Sequence, residues 1–159
     1  MKLRQMNLLL ILLDFLKQSP CINSNVLATS NYKSTCNTNL LAAIEHTNNK
    51  MNDTDELMDT ICCGQNTWED CTENLIVTSC GAEGKKAFRS FLDRAFGGVT
   101  TLFCPRTVFP PTGNICKKAL PAKGTKPKGK SSDNPFSKYI TSYFSFLIST
   151  KWCNLILYN

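Results

Sequence analysis

The stretch Thr60-Ile61-Cys62-Cys63-Gly64-Gln65-Asn66-Thr67-Trp68-Glu69-Asp70-Cys71, followed eight residues later by Cys80-Gly81, decides the fold. It holds four of the nine cysteines in a chain of 159 residues. Adjacent Cys62 and Cys63 cannot pair with each other without straining the peptide between them, so each is expected to bond a different segment. The stretch is therefore the hub of a disulfide framework. Structural zinc would want paired Cys-x2-4-Cys or His-x3-5-His spacings, and the single histidine, His46, sits in no such pattern.

Outward from the hub, the amino end indicates a compartment. Lys2 and Arg4 precede the apolar run Met6 to Leu13, interrupted only near Asp14 and followed by the polar Lys17-Gln18-Ser19-Pro20. This is the pattern of a secretory signal, with a cut expected after Ser24 and Ala28 as the other small-residue candidate. The run is too short to cross a bilayer as a helix, so no transmembrane segment is expected in the mature chain. A cut after Ser24 removes Cys21 and leaves eight cysteines, an even number suited to bridges in an oxidising compartment. Asn52-Asp53-Thr54 is a glycosylation sequon, in keeping with a secreted glycoprotein.

Residues 23–39, rich in Asn, Ser and Thr, read as an irregular arm tied down at Cys36. Leu40, Leu41 and Ile44 space one helical face that the Asn48-Asn49 pair ends. Asp53 or Thr54 caps a second helix carrying Leu57, Met58 and Ile61 inward, and Gly64 is expected to stop it. Thr67 is expected to cap a third, answered by Asp70, with Trp68, Cys71 and Leu75 on one face and Ile76 beside them. A fourth runs from about Glu83 to Phe96 on the stripe Ala87, Phe88, Phe91, Leu92, Ala95, and Gly97-Gly98 closes it. Phe109-Pro110-Pro111-Thr112-Gly113 signals a turn, and Asn134-Pro135 opens a last helix with Phe136, Tyr139, Ile140, Tyr143, Phe144 and Leu147 on one side. The expectation is a small, all-α, disulfide-stabilised domain of four to five helices, with a Lys/Gly/Pro-rich loop before the last. It divides into a signal peptide (1–24), a disulfide-bonded helical domain (25–121), a basic flexible loop (122–134) and a C-terminal helix with tail (135–159). The bridged cysteines are expected to be Cys36, Cys62, Cys63, Cys71, Cys80, Cys104 and Cys116.

Charge is segregated behind the net +6. Residues 45–83 carry nine acids against Lys50 alone, a net of −8, and residues 85–130 carry eleven bases against Asp93, a net of +10. The simplest reading sets Lys85, Lys86 and Arg89 opposite the acidic helices across solvent, where each pair is worth under about 1 kcal/mol. The sharper reading concerns Lys117, Lys118, Lys123, Lys126, Lys128 and Lys130, a tract able to hold sulfated glycans or an anionic lipid surface. Nucleic acid is excluded as a partner by secretion and by the lack of aromatic platforms among these lysines.

No catalytic constellation is visible. His46 beside Glu45 has no second partner to make it a general base, no nucleophile elbow or phosphate loop occurs, and Glu69-Asp70 are helix neighbours pointing in different directions. The chain reads as neither an enzyme nor a cofactor protein. Cys62-Cys63-Gly64 resembles the secreted phospholipase A2 motif, but the histidine-aspartate pair which that chemistry needs is missing. Over residues 36–147, the pattern Cys62-Cys63, Trp68-Glu69-Asp70-Cys71, Cys80-Gly81, Phe96-Gly97-Gly98, Phe103-Cys104-Pro105, Phe109-Pro110-Pro111-Thr112-Gly113, Cys116 and Ser132-Asp133-Asn134-Pro135 resembles a family of secreted, cysteine-rich arthropod proteins, distantly of the haemolymph-glycoprotein type. That resemblance implies secretion and a disulfide-held helical fold and assigns no activity. The last twelve residues fall outside it, leaving Cys153 without a partner. The spacing also resembles insect odorant-binding proteins, departing from them at the adjacent cysteines. That comparison contributes the idea of a cavity lined by Phe88, Phe91, Phe96, Phe103, Tyr139, Tyr143 and Phe144, against which stands the commoner reading of such a stripe as solid core. The function read from the sequence is that of an extracellular binding or interaction protein, with a cationic membrane- or glycan-binding role in host defence as the alternative.

Overall fold

The computed structural model describes residues 13–50, 53–95 and 98–129, which are helical or irregular throughout with no strand. The architecture is all-α and disulfide-stabilised, as the sequence leads one to expect. Helix α1 occupies residues 13–22 and ends in a widened turn, Asn23–Leu27. Helix α2 runs over residues 30–46, and a short turn, Thr47–Lys50, leads out of it. The long run Thr54–Ala95 is broken at Gly81 and gives α3 (54–80) and α4 (82–95). Two short helices follow, α5 (Val99–Phe103) and α6 (Asn114–Ala119). Asn52, Phe96, Lys130, Tyr139, Tyr143, Phe144 and Cys153 lie outside the described residues, as do the C-terminal helix and tail expected from the sequence.

Helix α3 is about 40 Å long at 1.5 Å per residue, and every other element is fastened to it. Asp53 caps it, its Oδ1 accepting the backbone N–H of Asp55 and of Glu56, both at 3.0 Å. Gly64 does not stop the helix. It is a point of close approach by α2: a Cβ at this position would stand 3.0 Å from the Ala43 Cβ. A helix ends at a glycine only when that glycine takes positive φ, and along α3 the first to do so is Gly81, at φ 74° and ψ −175°. Thr67 is accordingly interior to the helix and caps nothing. Its buried hydroxyl makes no hydrogen bond to another described residue.

One face of α3, bearing Gly64, Trp68, Cys71 and Leu75, repeats at the four-then-three spacing of a helical stripe and meets α2. Cys36 bonds Cys71, and seven residues further along α2 Ala43 meets Gly64, seven residues back along α3, so the two helices run antiparallel; the Trp68 Nε1–H donates to the Tyr32 hydroxyl at 3.0 Å. Residues 23–39 are therefore helical and not an irregular arm. Thr29 caps α2 by accepting the Tyr32 N–H at 3.2 Å, and Tyr32, Cys36 and Leu40 are all buried at steps of four. Two steps of four overshoot a 3.6-residue turn, and the π turn Lys33–Asn37 absorbs the drift. The weak helix formers Ser30, Asn31, Ser34 and Thr35 are exposed, and packing of the other face outweighs their propensity.

The second layer is α1 with α4. Phe15 stacks on Phe91 at 4.2 Å, Phe88 meets Trp68 edge-on at 6.1 Å, and Ile22 is buried beside Ile76 in the same core. Phe88 is thus buried in the core, and Phe91 packs against it partly buried. Cys21, which a cut after Ser24 would remove, is bonded to Cys80. With Cys62–Cys104 and Cys63–Cys116, eight cysteines form four bridges, and they include all seven singled out in the sequence.

Burial pushes the Tyr32 phenol above its ordinary value of 10.0, a rise tempered by the hydrogen bonds with Trp68 and Thr72. The unfolded chain therefore releases this proton first, and stability present below pH ~10 is expected to be lost as pH rises through the higher folded value. Denaturant midpoints from pH 8 to 11 should fall less steeply for Tyr32→Phe than for the native chain. Equal slopes would show that the phenol is not the group involved.

Candidate functional site

The opposite face of α3 carries Cys62, Asn66, Glu69 and Glu73, again spaced as a single stripe, but a polar one. It holds the segment 99–119, which wraps over the helix as a clasp. Cys62 bonds Cys104, and Cys63, one position round the helix, bonds Cys116. Between the two bridges the buried Asn66 donates from Nδ2 to the carbonyls of Cys104 at 3.1 Å and Phe109 at 2.9 Å. The turn signal at 109–113 is realised, with Phe109 N–H on Pro105 O at 2.9 Å and Gly113 N–H on Pro110 O at 2.8 Å. Thr60 reaches the last carbonyl of α6, donating from Oγ1 to Ala119 O at 3.3 Å.

Charge completes the attachment. Arg106 donates from Nη2 to Glu69 Oε2 at 3.0 Å and to Glu73 Oε1 at 3.3 Å. Glu73 also accepts both Nε and Nη2 of Arg89, at 3.0 and 2.7 Å, and pairs with Lys85 Nζ at 3.3 Å. Burial alone would lower the Arg89 guanidinium. The Glu73 hydrogen bonds, with the charges of Glu73, Glu69 and Asp93, outweigh it and hold Arg89 above its ordinary value. Lys85 and Arg89 therefore face an acidic helix, as the charge segregation suggests. They do so around one carboxylate withdrawn from solvent, not across open water. Glu69 and Asp70 are committed separately, Glu69 to Arg106 and to Gln65 Nε2 at 3.0 Å, Asp70 to Asn74 Nδ2 at 3.4 Å.

Among the residues the clasp exposes are four large apolar ones. Leu102 is 75 % exposed, Phe103 60 %, Val108 49 % and Ile115 40 %. Phe103 thus belongs to this surface and not to an interior cavity. All four lie on a segment bonded to the short stretch 62–66 of α3, so they are held in place and not carried on a free loop. Ile115 and Lys118 share one face of α6 at a three-residue spacing, with Lys117 beside them.

The basic tract continues from α6. Lys117, Lys118, Lys123, Lys126 and Lys128 are exposed, and no ion pair among the described residues engages them. Beyond α6 the segment is irregular apart from one turn, in which Thr125 bonds Ala122 O through N–H at 3.0 Å and Oγ1 at 2.6 Å. Its far end is tethered, the Lys128 N–H donating to Glu45 Oε2 at 2.7 Å. His46 is half-buried at the end of α2. Among the described residues no cluster of His, Cys, Asp and Glu is arranged to hold a metal ion, and no helix is long and apolar enough to cross a membrane. A polar groove of about 240 Å³ lies between α1 and α4, bordered by Asp14, Lys17, Glu83 and Lys86. Ser90 also lines it.

Asn66 and Arg106 carry the clasp, and neither belongs to a motif that marks it in the sequence. The signal for Asn66 was its place four residues after Cys62, on the face that Cys62 had already marked as bonded elsewhere. Comparison with protein-family models, curated proteins and solved structures finds no match for this chain.

Proposed function

We propose that the chain acts after secretion as a non-catalytic extracellular binding protein, and that its contact surface is the clasp, residues 99–119. The observation that carries this reading is the exposure of Leu102, Phe103, Val108 and Ile115 on a segment held by two disulfides and by Asn66. Large apolar side chains left in water on one held segment offer a contact site, and a pre-ordered segment loses little entropy on binding. Four bridges suit an oxidising compartment. A leader ending ahead of Cys21 preserves the Cys21–Cys80 bridge and the burial of Ile22, so processing is placed upstream of Cys21 and not after Ser24. The sequon at Asn52 is read as glycosylated in the secreted form.

The test is saturable retention of fluorescently labelled, secreted protein on cultured cells, compared with the double variant Leu102→Ser and Phe103→Ser. Retention reduced tenfold or more in the variant is expected. Equal retention would remove the clasp from the function. Intact mass of the same secreted sample locates the mature amino terminus, and a start beyond Cys21 would refute the processing site.

A further inference from the structure

Resting on that reading, we infer that the partner of the clasp is an anionic phospholipid surface, with Leu102 and Phe103 entering the interface and Lys117 and Lys118 meeting the headgroups. The clasp combines two features that different partners would use separately. Its apolar residues stand out into water from backbone that is covalently fixed behind them, at Cys104 and at Cys116. Its lysines are exposed and engaged by no ion pair among the described residues, whereas Arg89 and Arg106 are spent on Glu69 and Glu73. A lipid interface rewards both at once: apolar side chains gain by leaving water at the headgroup boundary, and lysines within a Debye length of the surface gain from its negative potential.

A sulfated glycan would engage the lysines and leave Leu102 and Phe103 in water. A protein partner usually offers a patch whose core is apolar and depleted of charge, and here Ile115 is flanked at once by Lys117 and Lys118. No described helix is able to span a bilayer, so attachment is peripheral and reversible. Salt is expected to weaken it, since the lysine contribution is screened.

The experiment is co-sedimentation of the full oxidised chain with vesicles of phosphatidylcholine alone and of phosphatidylcholine with phosphatidylserine. Binding to the second alone is expected. Two double variants are compared: Leu102→Ser with Phe103→Ser, and Lys117→Gln with Lys118→Gln. Each should lower the partition coefficient about tenfold. All four side chains are exposed, so both variants are expected to keep four bridges by mass and native circular dichroism. A heparin column run in parallel separates the alternatives. Vesicle binding that needs the lysines and ignores Leu102 and Phe103, with heparin retention ignoring them as well, overturns the inference in favour of charge alone. Absence of binding to phosphatidylserine vesicles also overturns it. If cell retention nevertheless depends on Leu102 and Phe103, the clasp stands as the contact surface and its partner is a protein.

Discussion

Replacing Cys63 and Cys116 together with alanine is expected to destabilise the protein by about 3 kcal/mol, the chain-entropy value for the loop of about 14 residues that this bond closes once Cys62–Cys104 is in place. For a domain of this size that lowers the melting temperature on the order of 10 °C. The loss is expected to be concentrated in the clasp. Without the Cys63 bond, α6 is held by the Thr60 hydroxyl on Ala119 O and by whatever Cys62–Cys104 transmits along the chain. Six residues are too few to persist as a helix in water without tertiary support. Amide exchange over residues 113–120 should therefore rise far more than over α3. Substituting Cys63 alone is a different experiment. It leaves Cys62 one residue from the vacated position, with Cys104 and Cys116 both within reach of the same turn of helix. Peptide mapping of that single variant should find two connectivities where the double variant shows one. A melting temperature for the double variant within a few degrees of the native value, about 1 kcal/mol, would mean that α6 is secured by packing and not by the bridge.

The reason these bonds matter is also the reason part of the fold was legible beforehand. Two adjacent cysteines must face different directions on a helix, and that alone made residues 60–81 the hub. The α3 stripe through Trp68, Cys71 and Leu75 and the α4 stripe through Phe88 and Leu92 followed from periodicity, because burial of a helical face repeats every three or four residues. The errors were of one kind, in which a local signal was outweighed by a distant contact. Gly64 looks like a stop, but Ala43 needs the room its missing side chain leaves. Thr67 looks like a cap only if a helix begins there, which it does not once Gly64 stays helical. Asn, Ser and Thr between 23 and 39 look irregular, whereas the face that decides the matter is Tyr32, Cys36 and Leu40. The clasp was half legible. Its lysines and its two cysteines stand out, but the exposure of Leu102 and Phe103 cannot be read from a sequence in which the same residues would serve equally well as core. Nor can the link from Arg106 to Glu69 and Glu73, which are 37 and 33 residues away.

Glu73→Gln is expected to cost about 2–3 kcal/mol, although it changes one oxygen to an amide nitrogen. The side chain is 2 % exposed, and its two oxygens serve Lys85 and Arg89 from α4 and Arg106 from the clasp. A neutral amide in the same space keeps at most one acceptor, turns its NH2 toward cations, and gives back none of the desolvation already incurred by the site. The loss stays below the 3–5 kcal/mol typical of a broken buried pair because the three cations are 42 %, 45 % and 31 % exposed and can turn toward water. Lys85→Gln removes one of the partners from the solvent side and is expected to cost under about 1 kcal/mol. The contrast between the two variants is the informative quantity, since a cluster worth no more than its surface pairs would give them similar values. Denaturant unfolding of both, with bridges intact, measures it. A difference below about 0.5 kcal/mol, the usual scale of a surface substitution, would reduce Glu73 to an ordinary surface acid in its energetics. The expected difference would instead make it the point through which α3 holds both α4 and the clasp. In Glu73→Gln, Arg106 keeps Glu69 as its only carboxylate partner, so exchange should quicken at 104–109 as well as along 82–95.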